Sequence, residues 1–509
     1  MSKRCPAAGL VAAVLVSLAS LSPAAVASAK PSSAGTTSSS GTFVKAYSNV
    51  SGTTQFSLTP EDVQATSDGG YIGVALTQSP SATRPGVSWL VKVNSSGTPQ
   101  WQRDLGCLST PPGDYADGVS IVQTADGGYV VGGGTIGCGS GSNCPSSSGI
   151  QCALVEKVSS TGGVVWARVY NAGASGSAID KLKRTSDGGF IAAGTINDSH
   201  QNVGGLILKL DGQGNVQWQR RLGPAGSNQV LLSDVQPTSD GGYVATGELQ
   251  TPASSALVVK LDASGNVVWA RSFNSFSAGA PTASTRAFTI IQAADGGYLA
   301  AGHWDDATTP NQCCSGALLL KLDSAGNIRW QKALSGGLYC FFNGFSETCT
   351  NLSALAYSVH QTADGGYVLA GHENLKLSDS VPLEPWLAKV DSSGNLLWQH
   401  LYYQTNKSTG RPLSEYFAAS AAASDGGFFS LGFTENATNG QGELFAVKTD
   451  STGVAGSTCT DLHPATTLNP TNPSLTAVAP SLPVSSIVTP VGGSPATTVA
   501  TSISTQSDC

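Results

Sequence analysis

KLDASGNVVWARSF, residues 260–273, decides the fold, because variants of it recur along the chain. KVNSSGTPQWQRDL starts at Lys92, KVSSTGGVVWARVY at Lys157 and KLDGQGNVQWQRRL at Lys209. KLDSAGNIRWQKAL starts at Lys321 and KVDSSGNLLWQHLY at Lys389. A last copy at Lys448, KTDSTGVAGSTC, stops before any tryptophan. Ahead of each copy stands a second signature, (S/A)DGG(Y/F), with Asp68, Asp126, Asp187, Asp240, Asp295, Asp364 and Asp425 as its aspartates. Paired signatures recurring seven times at intervals of 53–69 residues mark a repeat architecture.

Each repeat reads as four short strands. In the fourth, residues 233–238 and 243–248 flank the turn Ser239-Asp240-Gly241-Gly242. Residues 256–261 and 267–273 flank a second turn at 262–266. Asp-Gly-Gly supplies the positive-φ positions of a tight hairpin at no Cβ cost. The strands alternate or are continuously apolar, as when neighbouring sheets cover both faces. The expected fold is therefore all-β, a seven-bladed β-propeller of four-stranded antiparallel blades. The seventh repeat lacks its fourth strand. Residues 41–47, GTFVKAY, lie over residues 164–170, VVWARVY, with Phe43 in the tryptophan place. The N-terminal strand is expected to close the last blade.

The 509 residues carry a net charge of −7, only 12% charged side chains and 61 glycines, a turn-rich and strand-rich composition. Residues 1–29 read as a signal peptide. Lys3 and Arg4 form the charged start, residues 7–21 the apolar run, and Ala27-Ser28-Ala29 the cleavage site. The apolar run is short for a bilayer span, and no later segment is long and apolar enough to be one. The expectation is a secreted, periplasmic or cell-surface monomer. An acidic chain excludes nucleic acid as a partner. Residues 30–41 form a flexible segment, 42–455 the propeller, and 456–509 a Ser/Thr/Pro-rich disordered tail.

The repeats resemble those of bacterial secreted β-propellers of the pyrroloquinoline-quinone-like type. The family motif A-x-D-x-x-T-G-x-x-x-W docks a tryptophan between blades. Here Asp262 to Gly265 is one residue shorter, while Gly265 to Trp269 keeps its length. The resemblance implies an inter-blade packing role for Trp101, Trp166, Trp218, Trp269, Trp330 and Trp398. It specifies the fold and leaves the activity open, since one fold hosts many functions.

No phosphate loop, H-E-x-x-H or G-x-S-x-G motif occurs in a fitting context. The Asp-containing turns lack the spaced oxygen ligands of a calcium loop. No cofactor and no metal site is expected. The signature lysines, and the basic residue after each tryptophan, recur on every blade or nearly so. They read as structural partners for the turn aspartates.

Function is sought where the repeats differ. The uniform hairpin turns share one face, and the long variable loops share the other, the usual signature of a binding surface. Beside those loops, after the second-strand glycine, stand Glu248, His303-Trp304-Asp305-Asp306, His372-Glu373-Asn374 and Glu435-Asn436, with Asp198 on a further repeat. The expected site is a partly acidic pocket at the channel mouth, with Trp304 as a stacking platform; solvated loop ends are the plainer alternative.

Ten cysteines follow Cys5, an even number consistent with disulfides in a secreted chain. Cys107, Cys138, Cys144 and Cys152 form one local group. Cys313, Cys314, Cys340 and Cys349 form another, and Cys459 and Cys509 are left to the tail. Adjacent Cys313 and Cys314 could instead close a strained ring, as in some quinoprotein dehydrogenases. The reading is a binding or scaffold module for an extracellular protein or glycan, more a binder than an enzyme. The alternative is a quinone-dependent or sugar-active enzyme with its site at the channel mouth.

Overall fold

The structure is a computed structural model. It describes residues 41–51, 54–78, 87–105, 115–136, 150–170, 176–197, 203–223, 229–250, 254–274, 284–305, 315–335, 338–342, 347–375, 383–402, 414–435 and 442–455, with five short stretches between 469 and 507. The leader segment and most cysteines lie outside them. Cys152 is fully buried, and Cys340 stands opposite Cys349 in an antiparallel pair.

Among the described residues all the regular structure is strand, in repeated four-stranded antiparallel sheets of a propeller-like kind. Sheet I runs Thr54–Ala65, Tyr71–Gln78, Val87–Val93 and Pro99–Leu105, each strand paired to the next. Sheets II to VI repeat this order. Their first strands are Tyr115–Gln123, Ser177–Arg184, Gln229–Pro237, Ser284–Gln292 and Glu347–Gln361. Sheet VII has Glu415–Ala422, Phe428–Glu435 and Gly442–Thr449 from its own repeat. Its fourth strand is Phe43–Ser51, with Phe43 opposite Lys448 and Tyr47 opposite Leu444. Phe43 faces its signature lysine as Trp269 faces Lys260 in sheet IV.

Apolar clusters fill the space between successive sheets. One more joins the last sheet to the first, with Leu58, Tyr71 and Trp89 against Phe429, Leu431 and Leu444. There Tyr71 and Phe429 stack with centroids 4.0 Å apart. Burial of such aromatic and aliphatic area is the main favourable term in holding sheet to sheet.

The turn chemistry follows from the signatures. Each Asp-Gly-Gly aspartate pairs with the signature lysine of its own sheet, from Lys92–Asp68 at 2.9 Å to Lys448–Asp425 at 2.8 Å. The basic residues after tryptophan act differently from expectation. Arg220 donates to the Gly265 and Ser264 carbonyls of the next sheet and lies over Trp218, so it caps a turn and bonds no aspartate. Trp218, Trp269 and Trp330 donate their indole N–H to turn carbonyls of the following sheet at 3.0–3.2 Å. They are half-buried seals over neighbouring turns.

Each first strand contains one irregularity in its pairing, and the extra residues are Glu61, Val119, Asp180, Ser233, Phe288, Tyr357 and Ala418. A bulge bends the strand and re-aims side chains. Short segments of the tail, expected to stay disordered, pair with outer strands. Asn469–Thr471 adds to sheet V, Thr476–Val478 to IV, Val484–Ser485 to III, Val491–Gly493 to II and Ser502–Ser507 to the Phe43–Ser51 strand. An outer edge offers unpaired N–H and C=O groups that even a two- or three-residue segment can satisfy. Among the described residues no helix is long and apolar enough to cross a membrane.

Candidate functional site

The first strands of all seven sheets surround one cavity of 360 Å³. Each of these strands ends at an Asp-Gly-Gly turn. Residues early in the strand therefore lie toward the looped end of the lumen and later ones toward the turn end. Repeat units place equivalent positions at one level, so levels can be read around the lumen.

The level nearest the loops includes Asp117, Arg286 and Tyr416; the bulge level below it includes Glu61, Asp180, Phe288 and Tyr357. Three carboxyls thus come from sheets I to III. Burial, then the Asp117, Asp62 and Asp180 charges, pushes Glu61 up to about 8. Burial and Asp117 push Asp180 up to about 7, although it faces a water-accessible lumen. Burial pushes Asp117 up to about 6, against hydrogen bonds accepted from Gly134 N at 2.7 Å and Gln151 Nε2 at 3.1 Å. At neutral pH the trio shares protons.

Sheets V to VII supply an aromatic row at the same end. Phe288 stacks on Tyr357 at 5.0 Å and Tyr357 on His372 at 5.3 Å. His372 meets Tyr416 edge-on at 5.7 Å, and Tyr416 stacks on Phe433 at 5.4 Å. Burial pushes His372 down to about 4, so its ring is uncharged at neutral pH. Glu61 and Tyr416 lie within electrostatic reach of one another, which brings acid and aromatic sectors together.

The turn-side half of the lumen is built differently. Asp62 is buried; Lys181 reaches it from sheet III at 2.9 Å. It also accepts from Ser120 Oγ at 3.0 Å, Ile121 N at 3.1 Å and Val63 N at 3.0 Å. Burial alone would raise this carboxyl, but the Lys181 and Lys183 charges with these bonds hold it below its ordinary value. Asp234 repeats the device between sheets IV and V, accepting from Thr289 Oγ1 at 3.1 Å and Ile290 N at 2.9 Å. His360 donates Nε2–H to Ser420 O at 2.7 Å, joining VI to VII. Burial, with Lys183 and Lys181 nearby, pushes it down to about 4.

The residues expected from sequence fall into three groups. Glu248 and His303 flank Arg286: Glu248 Oε2 lies 3.4 Å from its Nε, and His303 stands opposite it in the strand pair. Ser254 also donates to Glu248. His372 belongs to the aromatic row. Trp304 does not line the lumen: it is 7% exposed and packs between sheets IV and V with Phe273, so it offers no ligand a stacking face. Glu373 is buried on the opposite strand face from His372, and Glu435 is exposed at a strand end. Asp305 is placed only by its backbone, opposite Ser284. Asp198, Asp306 and Asn436 lie outside the described residues. Among the described residues no group of three or more His, Cys, Asp or Glu side chains is arranged to hold a metal ion.

The lumen residues Glu61, Asp62, Asp117, Asp180, Lys181, Lys183, Asp234 and His360 were not singled out from sequence. A signal for some of them exists: Lys183 and His360 stand four places before the Asp-Gly-Gly aspartate, where other repeats carry Val, Ile, Ala or Gln, and Glu61 and Asp180 stand seven places before it, where others carry Val, Ala, Ser, Phe or Tyr.

No family model matches the chain, and no curated protein matches it. Similar solved structures include a protein of unknown function from Dyadobacter fermentans, with TM-score 0.39, 8% identity, 80% of this chain and 98% of that one. A fructofuranosidase variant from Schwanniomyces occidentalis, complexed with fructosylnystose, has TM-score 0.26, 9% identity, and 80% and 94% coverage. A GH43_12 protein retrieved from capybara gut metagenome has TM-score 0.23, 10% identity, and 90% and 99% coverage. With TM-scores below 0.5, these likenesses carry no argument about this chain.

Proposed function

We propose that this chain is a secreted seven-bladed β-propeller, closed by its N-terminal strand, that binds a glycan at the looped mouth of its central channel. The observation that carries the reading is the row Phe288–Tyr357–His372–Tyr416–Phe433 sharing one end of the lumen with Glu61, Asp117 and Asp180. Aromatic faces stack on the C–H faces of a sugar ring, and carboxyls take its hydroxyl hydrogens. A concave site with apolar walls and a few convergent polar groups is the usual form of a small-ligand pocket. Secretion rests on the leader sequence, and closure on the pairing of Phe43–Ser51 with Gly442–Thr449.

A second reading, a sugar-active enzyme, draws on the spread of protonation among the three carboxyls, since glycoside hydrolysis needs one acid and one base or nucleophile. A glycan array followed by calorimetry tests the first. Tyr357→Ala and Tyr416→Ala should each weaken the best binder by about 5–150-fold, as for interface anchors costing about 1–3 kcal/mol. Unchanged affinity in both variants would remove the aromatic row from the site. Turnover of the bound glycan, abolished by Asp180→Asn with binding retained, would establish the enzyme reading.

A further inference from the structure

The turn-side half of the cavity, which meets the mouth at Tyr357, has a different hydrogen-bond inventory. Its two carboxylates are already satisfied. Asp62 takes one lysine and three other donors. Asp234 takes Val235 N at 2.8 Å, the Thr289 and Ile290 donors, and the Gln236 amide at 3.3 Å. Gln64 spends its carbonyl oxygen on Gln123 N at 2.6 Å. His360 is uncharged, its Nε2–H given to Ser420 O.

What remains is a surplus of donors. Lys181 needs only one of its three N–H groups for Asp62. Lys183, one step nearer the turn end, lines the same cavity and makes no hydrogen bond or ion pair among the described residues. Burial and the neighbouring Lys181 charge depress it, against the pull of the Asp234 and Asp62 charges. An ammonium that repels its neighbour and lacks an acceptor is costly to keep unless something fills that place.

We infer that this cavity is a binding site for a small oxyanion, a carboxylate or phosphate, held chiefly by Lys183 with Lys181 in support. The 360 Å³ of the whole lumen leaves room at this end for a small acid. Lys183 has no oxygen acceptor among the described residues, and a bound anion would stand between the two lysine charges. The inference does not depend on glycan binding at the mouth.

Calorimetric titration of the full chain with inorganic phosphate, and separately with acetate, at fixed ionic strength tests it. Saturable one-to-one binding of at least one anion is expected, and the two arms tell which oxyanion chemistry is preferred. Lys183→Met should weaken that binding at least tenfold while leaving the melting temperature equal or higher, because an unpaired charge is removed. Lys183→Arg should keep binding within a few-fold, and it carries the test if the methionine variant fails to fold. Val268→Ser, on an exposed outer strand, is the control. Absence of saturable binding for both anions, or equal affinity in wild type and Lys183→Met, would overturn the site.

Discussion

Glu61 holds its proton to about pH 8 because burial and three neighbouring carboxylates disfavour its charge. Its folded pKa lies above the unfolded value, so the native state binds the extra proton between about pH 4.5 and pH 8. Ionisation then costs stability progressively as pH rises through that window. Glu61→Gln removes the penalty. Its unfolding free energy should match wild type near pH 4 and exceed it at pH 9, by roughly 1–3 kcal/mol once screening by lumen water is allowed for. A variant equally shifted at both pH values would show that Glu61 acts through packing and not through its charge. Trp304 teaches a second lesson at this scale. Tyr298, Ala300, Gly302 and Trp304 share one strand face by period two, and Tyr298 and Ala300 are core residues of the same cluster. Strand parity in the sequence thus already places Trp304 with Tyr298 and Ala300, between sheets.

Turns and latches belong to the next scale. Gly241 and Gly265 both sit in left-handed turns, at φ of +80° and +77°. A Cβ on Gly241 would meet nothing within 4 Å, whereas one on Gly265 would come within 2.7 Å of the Trp218 ring. Gly241→Ala should cost about 1 kcal/mol from backbone strain alone. Gly265→Ala should cost about 2–4 kcal/mol, because the tryptophan seal must also move. Equal losses in chemical denaturation would mean that the seal contributes nothing. Asp62 latches first strands together through partners on sheets II and III. Asp62→Ala should cost about 3–5 kcal/mol by stranding Lys181, and pairing it with Lys181→Met should recover much of that loss. These elements differ in legibility for a physical reason. Positive φ restricts a turn to glycine, and sealing it takes a large ring, so the glycine recurs in every repeat and the tryptophan in six. A lumen position faces no fixed partner and tolerates Val, Ser, Lys or Asp. Its chemistry appears only once the strands are aligned around a common axis.

For the whole molecule, the decisive pairing is that of Phe43–Ser51 with Gly442–Thr449. Tyr47 is 1% exposed and donates its hydroxyl to Gly97 O of sheet I at 2.7 Å, so this strand both completes sheet VII and touches the first sheet. Deleting residues 30–41 should leave the melting temperature near that of the chain lacking only its leader. Extending the deletion through Tyr47 should lower it clearly, by exposing the Gly442–Thr449 edge. Two truncations with the same melting temperature would exclude closure by this strand.

That pairing also sets a timetable. Ser48 bonds Glu443, which follows it by 395 residues. At a ribosome's pace of about 5–20 residues per second, the first strand waits on the order of 20–80 s for its partner to exist. The middle sheets can assemble as they emerge, since their strands are neighbours in the chain. The first strand must be kept from foreign edges throughout that interval.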